Sequence, residues 1–468
     1  MAVGRERLGP ALYLGGGLAL VGAAGYAFVA LTGHTLPPAE AAAAASVYLM
    51  VNIIGPGLFS ALEQETSRSV SAEIAAGRDP GRVTRNAALL AAATLAGVVV
   101  LLLAVSPVLT GTALGGRWGL FAAVLLSVVT SAAVYVVRGL VGGRQRFTGY
   151  AATLGAEGVA RILPCLVLAL AGAADVVAYA IAFAAGSAFG ALAGLPWLRR
   201  PVGSRTAAPD ASVIPLAAAA RGGSAAVPLD EPRDPDAARG AGEPSEPVAA
   251  RGQGPPTVRR MAQGLSFLAG GTLLMLLVAN LAPIVVTPRL SGDAATAAAF
   301  ASAFVLARVP LFLFAPVQAV LLPALTRAAT RGELDRVRAT LRRILLAVAA
   351  VGLPAVVASY LVGPWAVQVL FGADVRLPAA VVGLLGVSTV GFMVGQALQP
   401  GLVALGRHQA VTVAWLAGAV VLVTILALPG DALRAGVTGQ LGGAAVVVVV
   451  MLGALHRDLG KRRRPRRQ

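Results

Sequence analysis

Three ionisable side chains lie deep in stretches otherwise fit for hydrocarbon: Glu157, Arg161 and Arg308. A charge inside a membrane span costs roughly 2.5–3.5 kcal/mol on insertion scales, so it faces a partner or a water-filled cavity. Glu157 and Arg161 stand four residues apart with the glutamate first, the favourable order for an intrahelical pair. That pair either neutralises itself as part of the structure or contacts a substrate or a gating partner. Arg308 sits in "FVLARVPLFLF", with Phe304, Val305, Leu311 and Phe312 at the helical neighbour positions. It is roughly 18 Å from the outer end of its span at about 1.5 Å per residue, too far to snorkel. It either pairs with Glu157, the only acid clearly inside a span on this reading, or faces water and meets an anion. The planar fork of guanidinium donors suits phosphate.

Further intramembrane polar residues are Asn52, Asn280, Gln318, Gln396 and Gln399. Each either hydrogen-bonds a polar cargo such as sugar hydroxyls or glues helices together, at about 0.6 kcal/mol on average. Pro283, Pro310, Pro316 and Pro354 fall inside spans and are expected to kink them. Enzyme chemistry finds little support. His34, His408 and His456 show no metal-ligand spacing, and the single cysteine, Cys165, excludes an intrachain disulfide. The outer loops are short and carry only isolated acids, Glu40, Asp175, Asp293, Asp374 and Asp431. No cofactor, metal or catalytic residue is expected.

The elements that position these residues follow from composition. Apolar residues make up 57% of the 468-residue chain and charged residues 13%, with a mean hydropathy of +0.79. A soluble domain averages about 25% charged residues. The chain reads as an all-α polytopic membrane protein. Apolar runs of spanning length lie at about 10–32, 44–62, 87–109, 118–140, 149–171 and 176–198, and again at about 259–285, 296–322, 341–365, 377–400, 409–428 and 435–456. Twelve transmembrane helices are therefore expected, in two six-helix lobes, 1–198 and 259–456. Most arginines, Arg138 included, fall in loops on one side, while only Arg117, Arg289, Arg376 and Arg434 lie on the other. This bias places both termini in the cytoplasm of a multi-pass protein of the cell membrane. It also accounts for the net charge of +17 without nucleic acid, since no basic stripe is interleaved with aromatics. Residues 199–258, rich in Pro, Gly and mixed charge, read as a disordered cytoplasmic linker. The tail at 457–468, ending "KRRRPRRQ", either anchors the topology or binds anionic membrane lipids.

The halves echo each other. "RGLVGGRQRF" follows the fourth span and "GLVALGRHQAV" follows the tenth, both reading Gly-Leu-Val and then Gly-Arg. "AAGRDPGRV" follows the second span and "ATRGELDRV" the eighth. A six-plus-six repeat is a transporter signature, with the site between the lobes near the midplane.

The Gly-Arg loops after spans four and ten, with "RVPLFLFAPVQAVLLPALTRAATRGELDRV" at Arg308–Val337 and "GAEGVARILP" at Gly155–Pro164, resemble the MATE/MOP superfamily of multidrug exporters and lipid-linked oligosaccharide flippases. Twelve spans, and no Asp or Glu in spans one and seven where the exporters carry membrane-embedded carboxylates, favour similarity to a Wzx-type polysaccharide flippase. The resemblance implies alternating access, a polyprenyl-diphosphate-linked glycan as cargo, and glycan polymerase or glycosyltransferase machinery as neighbours. The alternatives are an ion-coupled multidrug exporter, a membrane glycan enzyme and a non-transporting scaffold.

Overall fold

The structure, a computed structural model, describes residues 3–199, 258–311 and 325–461. Within them, twelve helical segments are long and apolar enough to cross a membrane. In hydrocarbon every backbone donor must be satisfied within its own segment, which leaves these apolar runs little alternative to helix. The first half comprises α1 (Val3–Thr35), α2 (Pro38–Ile54), α3 (Ser60–Ala75), α4 (Gly81–Gly111), α5 (Trp118–Gly143), α6 (Phe147–Leu170) and α7 (Val176–Arg199). The second comprises α8 (Val258–Arg289), α9 (Ala294–Leu306), α10 (Leu334–Leu361), α11 (Gly363–Phe371), α12 (Ala379–Ala404), α13 (His408–Ala427) and α14 (Ala432–Lys461). Almost all of the central stretch read as a linker, residues 462–468 of the basic tail, Pro316 and Gln318 lie outside the described residues.

Each half packs as a bundle. In the first, α6 lies against α1 and α7, and α5 against α3 and α7. In the second, α14 lies against α12 and α13, and α10 against α12. The third and ninth spans are peripheral: Val100, Leu101 and Val108 on α4, and Leu346, Leu353 and Leu361 on α10, present bare apolar surface suited to lipid. Between the bundles, α8 packs along α2 and α3, α9 along α2, and α1 against α9 and α11.

The second span departs from expectation in length and in shape. It runs as one 38-residue segment, Pro38–Ala75. That brings Glu63, Glu65 and Glu73 into buried positions, so Glu157 is not the only acid within a span. Midway it passes through a π-helical turn, Gly55–Phe59, which contains Pro56. The eighth span is interrupted at the corresponding place. α9 ends at Leu306, residues 307–308 form a turn, and Pro310 follows. Pro283 and Pro354, by contrast, sit inside continuous helices. Proline-interrupted helices at matching places in two halves are the usual marker of a transport site.

The repeat is real but shifted, by one residue from the Gly-Leu-Val match and by two from the Gly-Arg match. The α5 end bonds Arg144 N to Leu140 O, Gln145 N to Gly142 O and Arg146 N to Val141 O; the α12 end bonds Leu405 N to Gly401 O, Gly406 N to Val403 O and Arg407 N to Leu402 O. Arg146 therefore corresponds to Arg407, and Gln145, at φ 56°, to Gly406. These arginines do the same job. Arg146 donates to the Trp197 carbonyl at the end of α7. Arg407 donates both Nε and Nη2 to Asp458 near the end of α14. In the other echo, Gly77 and Gly332 take the left-handed conformation in matching turns.

α5 presses closely on α3. A Cβ at Gly143 would stand 2.6 Å from Val70 Cβ and 2.8 Å from the Ser67 carbonyl. Gly143→Ala is expected to lower stability by roughly 1–3 kcal/mol through overpacking. Gly97→Ala, in open space on α4, is expected to hold or raise it, since alanine is the better helix former. Thermal unfolding in detergent compares the two.

Candidate functional site

The polar residues of the membrane interior fall into two groups. The first is a closed network within the first lobe. Glu157 on α6 accepts from Arg138 on α5 through Oε2, and its Oε1 takes Arg161 Nη2 at 2.7 Å and Ser187 Oγ at 2.7 Å. Arg161 Nη2 also donates to Ser187 Oγ at 2.8 Å, and Arg138 Nε donates to Thr153 Oγ1 at 3.0 Å. The Tyr150 hydroxyl donates a hydrogen bond to Glu63 Oε1 on α3. Glu157 and Arg138 are each 4% exposed at the side chain. The expected Glu157–Arg161 pair thus forms, but with a second cation that the sequence reading had placed in a loop. Arg138 lies inside α5 because that helix runs on to Gly143. With Glu63 and Glu157 against Arg138 and Arg161, the formal charges cancel.

Small residues make the room. A Cβ at Gly186 would meet Arg161 Cγ at 2.3 Å, and one at Gly190 would meet Glu157 Cβ at 3.0 Å. α7 therefore offers "GSAFG", a serine donor flanked by bare backbone, to the charged face of α6. The Arg161 guanidinium also lies over the Phe183 ring, 4.7 Å from its centroid.

The second group lies between the lobes. Arg308 follows the end of α9, at the break in the eighth span, so it reaches inward from an interrupted helix. Its guanidinium lies 4.3 Å from the Phe304 centroid and 5.7 Å from that of Phe392 on α12. Among the described residues its guanidinium has no ion pair or hydrogen bond, and its Nε is buried without a partner. It does not pair with Glu157, whose oxygens are taken by Arg138, Arg161 and Ser187. Tyr26 on α1 and Tyr48 on α2 are its electrostatic neighbours, and Tyr48 also interacts with Arg161. Tyr48 thus stands between an arginine of each lobe. Its ring packs edge-on to Phe183 at 5.9 Å, and Gly25 on α1 clears space for it, since a Cβ there would be 2.5 Å from Tyr48 Cε2.

The amides divide differently from expectation. Asn52 Nδ2 donates to the Tyr48 carbonyl at 2.9 Å, and Asn280 Nδ2 to the Leu276 carbonyl at 3.0 Å. Both bonds are local to one helix, and they leave Asn52 one turn from Tyr48. Gln399 accepts from Trp415 Nε1 at 2.9 Å and holds α12 to α13. Gln396 reaches Met275 Sδ on α8 at 3.9 Å. Tyr26, Tyr48, Arg138 and Glu63 were missed by sequence reasoning. A tyrosine opposite an interrupted helix is the signal that would have found Tyr48.

Part of the sequence matches a known family, and the fold resembles that of known proteins. Residues 257–375 match the family described as "Polysaccharide biosynthesis protein". The structure is similar to a multidrug resistance MATE family transporter of the MOP superfamily in an inward-facing conformation, with a TM-score of 0.66, 14% identity and 94% of each chain covered. It is also similar to the Vibrio cholerae MATE transporter VcmN, with a TM-score of 0.58, 14% identity and 97% and 98% of the two chains covered. The eukaryotic MATE transporter AtDTX14 gives a TM-score of 0.61 at 12% identity over 98% of each chain. No curated protein sequence matches the chain. The chain is a multi-pass membrane protein with the fold of the MATE transporters.

The Glu157 network gives a stability prediction. Removing one partner leaves buried charge uncompensated, which costs roughly 3–5 kcal/mol. Glu157→Gln is expected to lose that much, read as a lower unfolding temperature and a smaller folded fraction in detergent.

Proposed function

We propose that the protein is a flippase that moves a polyprenyl-diphosphate-linked oligosaccharide or polysaccharide precursor across the cytoplasmic membrane by alternating access of its two lobes. The observation that carries this reading is Arg308, a permanent cation between the lobes with no counter-ion among the described residues. The neighbouring aromatics Phe304, Phe392, Tyr26 and Tyr48 offer faces and hydroxyls rather than carboxylates. Such a site favours an anion and repels the cations that a drug exporter takes. A diphosphate presents the geometry that a guanidinium fork recognises. The family match over 257–375, which includes Arg308, supports a role in polysaccharide assembly.

The arginine-rich loops set the direction. They mark the cytoplasmic side by the positive-inside rule, and lipid-linked precursors are loaded there. The head group enters beside Arg308, the lobes rock, and the isoprenoid tail stays in the bilayer. Arg161, with Tyr48 near it, offers the first lobe's contact to the same head group, Asn52 sits one turn from Tyr48, and Glu157 keeps Arg161 in place. Glycosyltransferases on the loading side and a polymerase on the release side are the partners this chemistry calls for.

The test is head-group translocation in vesicles reconstituted with purified protein and a fluorescent polyprenyl-diphosphate sugar. Arg308→Ala is expected to cut translocation roughly ten- to a hundredfold, the worth of a charged hydrogen bond of about 1.5–3 kcal/mol. Arg308→Lys is expected to retain part of it. Neither change should lower the unfolding temperature, because among the described residues the guanidinium has no ion pair or hydrogen bond to lose and its ring contacts only offset the cost of burying it. Normal translocation by Arg308→Ala would overturn the assignment.

A further inference from the structure

The contact between the lobes at the arginine-poor face has an unusual makeup. α1 ends with Gly33 and His34 packed on the end of α11. A Cβ on Gly33 would stand 2.0 Å from the Phe371 carbonyl oxygen, and one on Gly372 would stand 2.7 Å from the Gly33 carbonyl oxygen. Gly372 also has φ 63°, a left-handed conformation that disfavours any side chain. The two backbones therefore touch reciprocally, Cα to carbonyl, a geometry in which weak Cα–H···O contacts form. Alongside, the alanine run Ala41–Ala45 of α2 meets α9, where Ala297, Ala299, Ala301 and Ala303 are buried. A cavity of about 200 Å³ adjoins the joint, lined by Gly33, His34, Ala41, Ala298, Ser302 and Phe371 among others.

Among the described residues no ion pair or hydrogen bond crosses this joint. Glu40, which lies beside it, pairs with Arg117 of its own lobe. The joint thus holds by shape alone, and parting it strands no charge and breaks no strong bond. The other inter-lobe contact is different. There a Cβ on Gly57 would stand 3.1 Å from Leu273 Cδ1, 3.5 Å from Leu273 Cα and 3.8 Å from Leu276 Cδ1 on α8, a contact mainly with side-chain ends rather than with carbonyl oxygens.

We infer that Gly33 and Gly372 form a gate at the arginine-poor face, a backbone-on-backbone seal that opens and closes as the lobes rearrange. Any side chain at either position wedges the seal apart. The inference concerns the motion and holds for any cargo, so it stands or falls separately from the flippase reading.

The experiment places spin labels on Ala39→Cys and Arg376→Cys, both exposed positions on opposite sides of the joint. It uses a Cys165→Ala background and protein in lipid nanodiscs. A second readout is maleimide labelling of Ala44→Cys, a site buried beneath the seal. With both glycines intact, a short distance and slow labelling should dominate. Gly33→Val is expected to lengthen the distance by several ångström and speed labelling several-fold. Gly33→Ala and Gly372→Ala are expected to do so to a smaller extent. Gly15→Val, on the same helix in open space, should change neither. Unchanged distance and labelling in folded Gly33→Val overturns the gate. So does loss of folding in both alanine variants while Gly15→Val folds, since the joint would then be a fixed part of the core.

Discussion

Charge cannot be left bare in hydrocarbon, and this constraint orders the interior of the molecule. The first lobe meets it with a closed circuit. Glu157 is shared by two arginines and a serine, and Glu63 is bonded to Tyr150 beside them. Every glycine that brings α5, α6 and α7 close enough for those bonds serves the circuit. Arg308 is the exception, and its position explains why. It projects from a broken helix at the meeting of the lobes, where aromatic faces offset part of its cost without cancelling its charge.

The two lobes share a backbone plan but not an electrostatic one. In the register fixed by the matching helix ends, Arg138 corresponds to Gln399 and Glu157 to Gly418. The second lobe therefore holds α12 to α13 with a neutral bond between Gln399 and Trp415. One lobe carries a self-neutralised core and the other carries a lone cation.

Much of this was legible in the sequence. The twelve spans, the two halves and the intrahelical Glu157–Arg161 pair follow from runs of hydrophobic residues and from i, i+4 spacing. The resemblance to the MATE/MOP superfamily led to the observed fold. What escaped was set by helix ends. Arg138 and Glu63 lie near boundaries, where an apolar window stops but the helix does not. The two-residue shift between the Gly-Arg letters escaped because a glycine and a glutamine share the left-handed position, so matching letters misled. Arg308 was visible as an anomaly, yet its want of a partner required knowing that Arg138 had already claimed Glu157.

The arginine clasps at the ends of α7 and α14 have a mechanical consequence. Arg144 donates to the Leu198 carbonyl at 2.7 Å and Arg146 to that of Trp197, so the last turn of α7 is tied to the α5–α6 connection. A pull exerted on the chain beyond residue 199 is thereby shared by three helices instead of unravelling one. The long segment joining the halves is thus anchored to a whole lobe, and tension along it would act as a lever on the lobe as a body.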